Sequence, residues 1–189
     1  MSSRLFYSMS VSLDGFVATS DGSLDFVHVD DELHEVFNEE ARSVGTMLLG
    51  RGMYELMAAY WPTADQDPAA LPVMRDFARI WRDKPKVVFS TTLDKVDWNS
   101  RLVRDGAVEE VRRLKELPGN DMDVGGPTIA APLIAAGLVD EFRMFVNPVV
   151  LGAGIRYFPR LNRRLKLRLL ETRTYSAKVV YHRYERVEI

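Results

Sequence analysis

The chain has 189 residues, 47% of them apolar and 28% charged, which is the composition of a folded protein and not of a disordered one. A chain of this length reads as one domain over residues 1–189, able to bury roughly 70% of its unfolded surface. The absence of cysteine excludes a disulfide framework and thiolate chemistry, and a formal charge of -2 excludes the dominating basic field of a general nucleic-acid binder.

Met1 to Gly15 shows no basic stretch followed by an apolar run, and no window reaches 18 uninterrupted apolar residues, so a cytoplasmic protein without a membrane partner is expected. Charge is unevenly spread. Residues 1–44 hold nine acids against Arg4 and Arg42, while residues 155–189 hold ten Lys or Arg against three Glu. Solvated faces account for this pattern, or else the two ends pair within the fold or across a dimer.

Leu5 to Val11 predicts a strand, and Asp14-Gly15 and Ser20 to Ser23 predict turns after it. Asp30 is placed to cap a helix whose first turn holds Asp31 and Glu32 and whose apolar face is Leu33, Val36, Phe37, Ala41 and Val44. Thr46 to Leu49 predicts a strand ended by Gly50, and Arg51 to Tyr60 a helix closed before Trp61-Pro62. Residues 71–83 predict a further helix, Val87 to Ser90 a buried strand running into Thr91-Thr92, and Leu102-Val103 a short one. A helix over Gly106 to Leu117, a strand over Met122 to Val124, the turn Gly125-Gly126-Pro127 and a helix over Thr128 to Ala136 complete the alternation. Strands alternating with such helices imply an α/β fold with a mainly parallel sheet covered on both faces. Val139 to Val150, Leu165 to Thr174 and Ala177 to Val187 read as strands, the last two joined through Tyr175-Ser176 as an antiparallel hairpin, which makes the sheet mixed.

In such sheets ligands gather at the carboxyl ends of the strands, where amides at helix starts attract anions. Gly50-Arg51-Gly52 offers close backbone approach and a guanidinium. Ser90-Thr91-Thr92 offers hydroxyls, with Lys95 nearby, or is a plain turn. Gly125-Gly126-Pro127-Thr128 is the strongest of the three, since two glycines before a first-turn proline can bring unpaired N–H groups against a pyrophosphate. None of them matches the Gly-x-Gly-x-x-Gly fingerprint or the Gly-Lys-Ser/Thr phosphate loop. His28, His34 and His182 are dispersed, so no metal site is expected. Phe26 and Tyr54 can stack on a substrate or simply fill core.

Five segments together resemble the dihydrofolate-reductase-like superfamily, in the branch related to the reductase domain of bacterial riboflavin biosynthesis. They are Ser12 to Ala18, Leu48 to Glu55, Val87 to Leu93, Val124 to Thr128 and Asn147 to Gly154. The resemblance implies a mixed sheet that binds NADPH and transfers hydride to a small heterocyclic or carbonyl substrate. It assigns Gly50 and Arg51 to the cofactor phosphates, Ser90, Thr91 and Thr92 to the adenosine ribose and its 2'-phosphate, and Gly125, Gly126, Pro127 and Thr128 to the pyrophosphate. Phe16 to Phe26 resembles a mobile loop closing over the substrate, with hinge freedom at Gly15 and Gly22.

Reduction of a C=N bond also needs a proton, and the candidate acids are Asp14, Asp25, Asp30 and Asp31. Asp31 stands where the resemblance places the acid and Asp14 is its rival, a turn-forming or capping role being the alternative for each, while Asp30, Phe26 and Tyr54 are the substrate-side candidates. Two departures weaken the match: Val124 stands where riboflavin reductases have Glu, and Met53 stands where many relatives have Thr. Riboflavin synthesis is therefore not expected, and a non-catalytic nucleotide-binding or regulatory role is the alternative. A homodimer is implied by the resemblance, with Phe142 to Leu151 as one segment that a partner could cover, although core burial explains it equally well.

Overall fold

The computed structural model describes residues 3–119 and 121–187. In chain order the elements are β1 (Leu5–Ser12), β2 (Phe16–Ala18), α1 (Asp31–Ser43), β3 (Thr46–Gly50), α2 (Arg51–Ala58), α3 (Pro72–Asp83), β4 (Lys86–Phe89) and β5 (Ser100–Val103). They continue with α4 (Ala107–Glu116), β6 (Met122–Gly125), α5 (Pro127–Ala135), β7 (Glu141–Asn147), β8 (Ile155–Arg156), β9 (Leu167–Thr174) and β10 (Val180–Arg186). Eight strands form one sheet in the order β5-β4-β3-β6-β1-β7-β10-β9. The six from β5 to β7 run parallel, and β10 and β9 are antiparallel additions.

Side chains alternate across this sheet, and each face has its own cover. Leu5, Tyr7, Leu48, Val87, Val124 and Phe142 point to the face packed by α4 and α5. Met47, Leu49 and Val88 point to the other, against Phe77 and Trp81 of α3 and Tyr54 of α2. Helix α1 begins as expected, with Asp30 Oδ1 accepting a hydrogen bond from the Leu33 amide at 3.0 Å. Asn38 joins α1 to α3 by donating to the Val73 carbonyl at 2.9 Å and to Asp76 at 2.8 Å.

Several boundaries differ from the sequence reading. Phe16–Ala18 is a buried strand that pairs with β8, not the start of a free loop. The approach is close: a Cβ on Gly154, just before β8, would lie 2.2 Å from the Ala18 carbonyl oxygen. A 3-10 turn over Trp61–Gln66 follows α2, where the first-turn proline favours a new helical start. Strand β7 ends at Asn147 because Pro148 brings no amide for pairing. The hairpin loop spans residues 175–179, and Lys178 takes the left-handed φ of 59°. Since β7 lies between β1 and β10 with Phe142 and Phe145 buried, core packing accounts for those residues of Phe142 to Leu151; the edge strands of the sheet are β5 and β9.

Beneath α1 the sheet carries an ionic cluster. Glu141 accepts from Arg143 Nε at 2.7 Å and from Arg183 Nε and Nη2 at 2.6 and 3.0 Å, and Arg4 approaches it at 3.4 Å. Burial pushes the Glu141 carboxyl up, but the Arg183 and Arg143 hydrogen bonds outweigh it and hold the group below its ordinary value. Its contribution is therefore present at neutral pH and is lost as pH falls through the lowered folded-state pKa. Glu141→Gln is expected to lose about 3 kcal/mol of unfolding free energy at pH 7, as for other broken buried ion pairs. Urea denaturation at pH 7 and pH 3 should show that gap and then its narrowing.

Candidate active site

The carboxyl ends of β4, β3 and β6 stand side by side, with Gly50 beside Phe89 and Leu49 beside Gly125 in the strand register. The three glycine or hydroxyl turns of the sequence are thereby brought together. Gly50 caps α2, so Arg51 and Gly52 form its first turn, and both are exposed. Gly126 caps α5 at a φ of +107°, a conformation open to glycine and strained for other residues, and Pro127 and Thr128 follow as the first turn.

Hydrophobic contact holds the turns against each other: a Cβ on Gly50 would lie 3.5 Å from Ile129 of α5, and one on Gly126 would lie 3.5 Å from Met53 of α2. Ser90 is buried, its hydroxyl accepting from the amides of Thr92 and Leu93 at 3.2 and 3.0 Å, while Thr91 and Thr92 face solvent. Arg51 makes no ion pair among the described residues. These exposed groups and the unpaired first-turn amides of two helices fit a phosphate-bearing cofactor.

Next to the turns lies a cavity of about 730 Å³ between the sheet and helices α1, α2 and α3. Leu49, Met53 and Gly125 belong both to its wall and to the cofactor turns. Much of the lining is apolar, including Met47, Phe77 and Trp81, and Trp61 closes it from the 3-10 turn. Such a volume suits a small organic ligand.

The predicted acids part company here. Asp31 lines the cavity at its solvent side, and Asp30 lines it too while capping α1 and accepting from the Ser176 hydroxyl at 2.6 Å. Asp14 is elsewhere. Its carboxylate accepts from Ser12 at 2.7 Å and from the Leu151 and Gly152 amides at 3.1 and 2.8 Å, and the Ser12 bond leads in holding it below the ordinary carboxylate range. Asp14 thus lies off the cavity and ties the turn after β1 to the segment before β8, the turn-forming one of its two expected roles. Tyr54 is also withdrawn, buried against Trp81 with its hydroxyl accepting from the Asp97 amide at 2.8 Å. Phe26 does not line the cavity; Leu24 and Val27 of the same loop do.

Two acids on the cavity wall escaped the sequence reading. Glu40, on the inner face of α1, accepts from Ser8 at 2.9 Å and Arg143 at 3.1 Å, and burial raises its pKa. Asp123 is the second residue of β6, and its Oδ1 is buried without a hydrogen-bond partner. Burial first, and the nearby Glu40 second, push this carboxyl up to about 7 against the opposing pull of Arg143. An acid between apolar Met122 and Val124, two residues before the paired glycines, was the available signal. Val124 itself faces α4 and α5, away from this cavity.

The chain belongs to the family of the RibD C-terminal domain, whose model matches residues 4–181. It is 33% identical over 183 residues, covering 95% of this chain and 94% of the relative, to the uncharacterized protein YyaP of Bacillus subtilis (strain 168). Among solved structures, one from Shewanella sp. PV-4 named for riboflavin biosynthesis covers all of both chains with a TM-score of 0.75 at 21% identity. Dihydrofolate reductase of Enterococcus faecalis, complexed with NADP(H) and RAB-propyl, covers 98% of this chain and 97% of its own, with a TM-score of 0.64 at 18% identity. The fold is thus dihydrofolate-reductase-like, and the mixed, mainly parallel sheet expected from the sequence is the one observed.

The raised Asp123 pKa has a direct consequence for stability. At this group the folded state retains a proton that the unfolded chain releases near pH 4, so the Asp123 contribution to stability falls as pH rises from there toward 7, by about 1.4 kcal/mol per unit. Asp123→Asn, which cannot ionise, is expected to be more stable than the wild type at pH 8 by roughly 2 kcal/mol or more. The two proteins should converge toward pH 4 in thermal melts run at both values.

Proposed function

We propose that the protein is an NADPH-dependent reductase acting on a small heterocyclic or carbonyl acceptor held in the cavity. The observation that carries this reading is the shared wall: Leu49, Met53 and Gly125 border both the glycine turns and the cavity, so a cofactor on the turns and an acceptor in the cavity would be neighbours. When bound, NADPH supplies the hydride. Arg51 and the first-turn amides of α2 and α5 would hold its phosphates, Gly125, Gly126, Pro127 and Thr128 serving the pyrophosphate and Ser90, Thr91 and Thr92 the adenosine side.

Residues 19–29 form the cover. They carry no strand or helix, and they are held at one end by β2 and at the other by the His28 amide donating to Asn147 at 3.1 Å. Leu24, Val27 and Val29 of this arch line the cavity and would exclude water from it. Asp31, exposed at the same side, is the carboxylate placed to exchange protons with solvent.

A second reading, a non-catalytic regulatory role on the same fold with weakened hold on the cofactor phosphates, has one observation in its favour. The Met53 side chain fills the space between the two turns, 3.3 Å from where a Gly125 Cβ would lie, and offers no hydroxyl to a phosphate. A homodimer could use β9, one of the two edge strands of the sheet, whose Leu169 and Leu170 are exposed. Leu169→Asp is then expected to turn a dimer into a monomer in light scattering, and an unchanged mass would end that proposal.

Titration with NADPH and NADH is the deciding experiment. Micromolar affinity for NADPH, weaker for NADH, supports the reductase; a flat response to both rules out the proposed cofactor role. Space around Gly52 is open, so Gly52→Asp should keep the wild-type melting temperature while setting a negative charge against the phosphates. Both it and Arg51→Ala are expected to weaken NADPH binding about tenfold, near 1.4 kcal/mol.

A further inference from the structure

Among the described residues, three buried side-chain polar atoms have no hydrogen-bond partner: Tyr7 Oη, Trp81 Nε1 and Asp123 Oδ1. Buried polar groups are nearly always paired, so each unpaired one asks for a partner that arrives later. Tyr7 lies on the opposite face of the sheet, stacked on Tyr157. Trp81 and Asp123 both line the cavity. The cavity is therefore apolar for much of its wall yet has an unsatisfied donor and an unsatisfied carboxyl on its lining.

What the lining lacks is equally informative. No Arg or Lys belongs to it, while Asp30, Asp31, Glu40 and Asp123 do. Arg143, the guanidinium behind Glu40, is buried, engaged by Glu40 and Glu141 and laid 4.0 Å from the Phe6 ring centre. A phosphate or carboxylate entering here would meet acids without a free counter-charge. Flat, uncharged rings suit the sulfur and aromatic surfaces of Met47, Met57, Phe77 and Trp81.

We infer that Asp123 anchors the substrate by donating a hydrogen bond from its carboxyl to a ring nitrogen or carbonyl oxygen of a flat, unphosphorylated heterocycle. The inference rests on the reductase reading for the identity of the cavity as the acceptor site. An ionised carboxylate has nothing to donate, so the anchor works only while Asp123 is protonated. The groups that set this protonation are Glu40 of α1, which favours the proton, and Arg143 of β7, which opposes it; Tyr7 of β1 and Tyr157 also sense the Asp123 charge. Asp30, Asp31 and His34 share the same cavity. Affinity for a neutral acceptor ligand must then be highest below about pH 7 and fall as pH rises through it.

The chain's three tryptophans provide a readout that needs neither NADPH nor turnover. Trp61 and Trp81 line the cavity and Trp98 does not, so their indole N–H signals in nitrogen-15 NMR report entry with an internal control. The probes are isoquinoline, its nitrogen-free isostere naphthalene, and uridine 5'-monophosphate. Isoquinoline is expected to shift Trp61 and Trp81 but not Trp98, and to bind about tenfold tighter than naphthalene at pH 6, the value of one well-made hydrogen bond.

Its affinity should drop up to tenfold per pH unit above 7, and uridine monophosphate should leave all three signals unmoved. Asp123→Asn should abolish the pH dependence, and Asp123→Leu, a second variant in case the first fails to fold, should abolish the preference over naphthalene. Isoquinoline binding that ignores pH in the wild type, an unaltered profile in Asp123→Asn, or comparable binding of the nucleotide would overturn the inference. A protein that binds isoquinoline as expected but not NADPH would uphold the anchor and sink the reductase reading instead.

Discussion

The insertion of β6 between β3 and β1, parallel to both, is the constraint on which the rest of the site depends. Pairing of Leu5 with Met122 and of Thr46 with Met122 fixes one register across three strands. Because side chains alternate along a strand, that register sends Met122 and Val124 to one face and Asp123 and Gly125 to the other. A slip of one residue would exchange an apolar pair for a carboxyl and a glycine in the core beneath α5. The same pairing sets the end of β6 level with the end of β3, so Gly125-Gly126 and Gly50-Arg51 become adjacent without any contact between them in sequence.

Electrostatics on the α1 face follow from the same geometry. Phe6 of β1 pairs with Asp123 on one side and with Glu141 on the other, which puts two acids in one row of the sheet. Three arginines satisfy Glu141, whereas Asp123 Oδ1 has no hydrogen-bond partner and burial pushes its carboxyl up to about 7. Neutralisation by protonation is the cheaper course for a buried carboxyl that makes no ion pair. The cluster around Glu141 is thus structural, and the unpaired group beside it is the one with chemistry to spare.

Legibility divided along the range of the interactions. The Asp30 cap, the apolar stripe of α1 and the glycine turns were readable because each depends on neighbours within a few residues. Phe16–Ala18 was not, since its pairing with Ile155–Arg156 joins segments about 140 residues apart and only the close passage at Gly154 hints at it. Asp14 misled for a similar reason: an acid before a glycine looks available until the amides of Leu151 and Gly152 are brought to it. Tyr54 and Phe26 were ambiguous from the start, because an aromatic stripe cannot say whether its far side meets a ligand or another ring. Asp123 was visible as an acid in an apolar strand, but which face it joined required the sheet order.

On the proposed reading, charge also sorts the two ligands of one continuous crevice. Cationic and amide donors stand on the outer side of the shared wall, at Arg51 and the starts of α2 and α5; the inner side has acids, hydroxyls and rings but no Arg or Lys. A phosphate-bearing carrier is attracted to the first region and repelled from the second, while a neutral ring gains from burial only in the second. Met53 stands on the boundary, touching both the Gly125-Gly126 turn and the cavity. Its thioether offers no hydroxyl to a phosphate but extends the apolar wall toward the turns, which sharpens the division between the two regions. Arrangement of this kind needs no gate between the compartments: desolvation and like-charge repulsion keep each ligand in its own half.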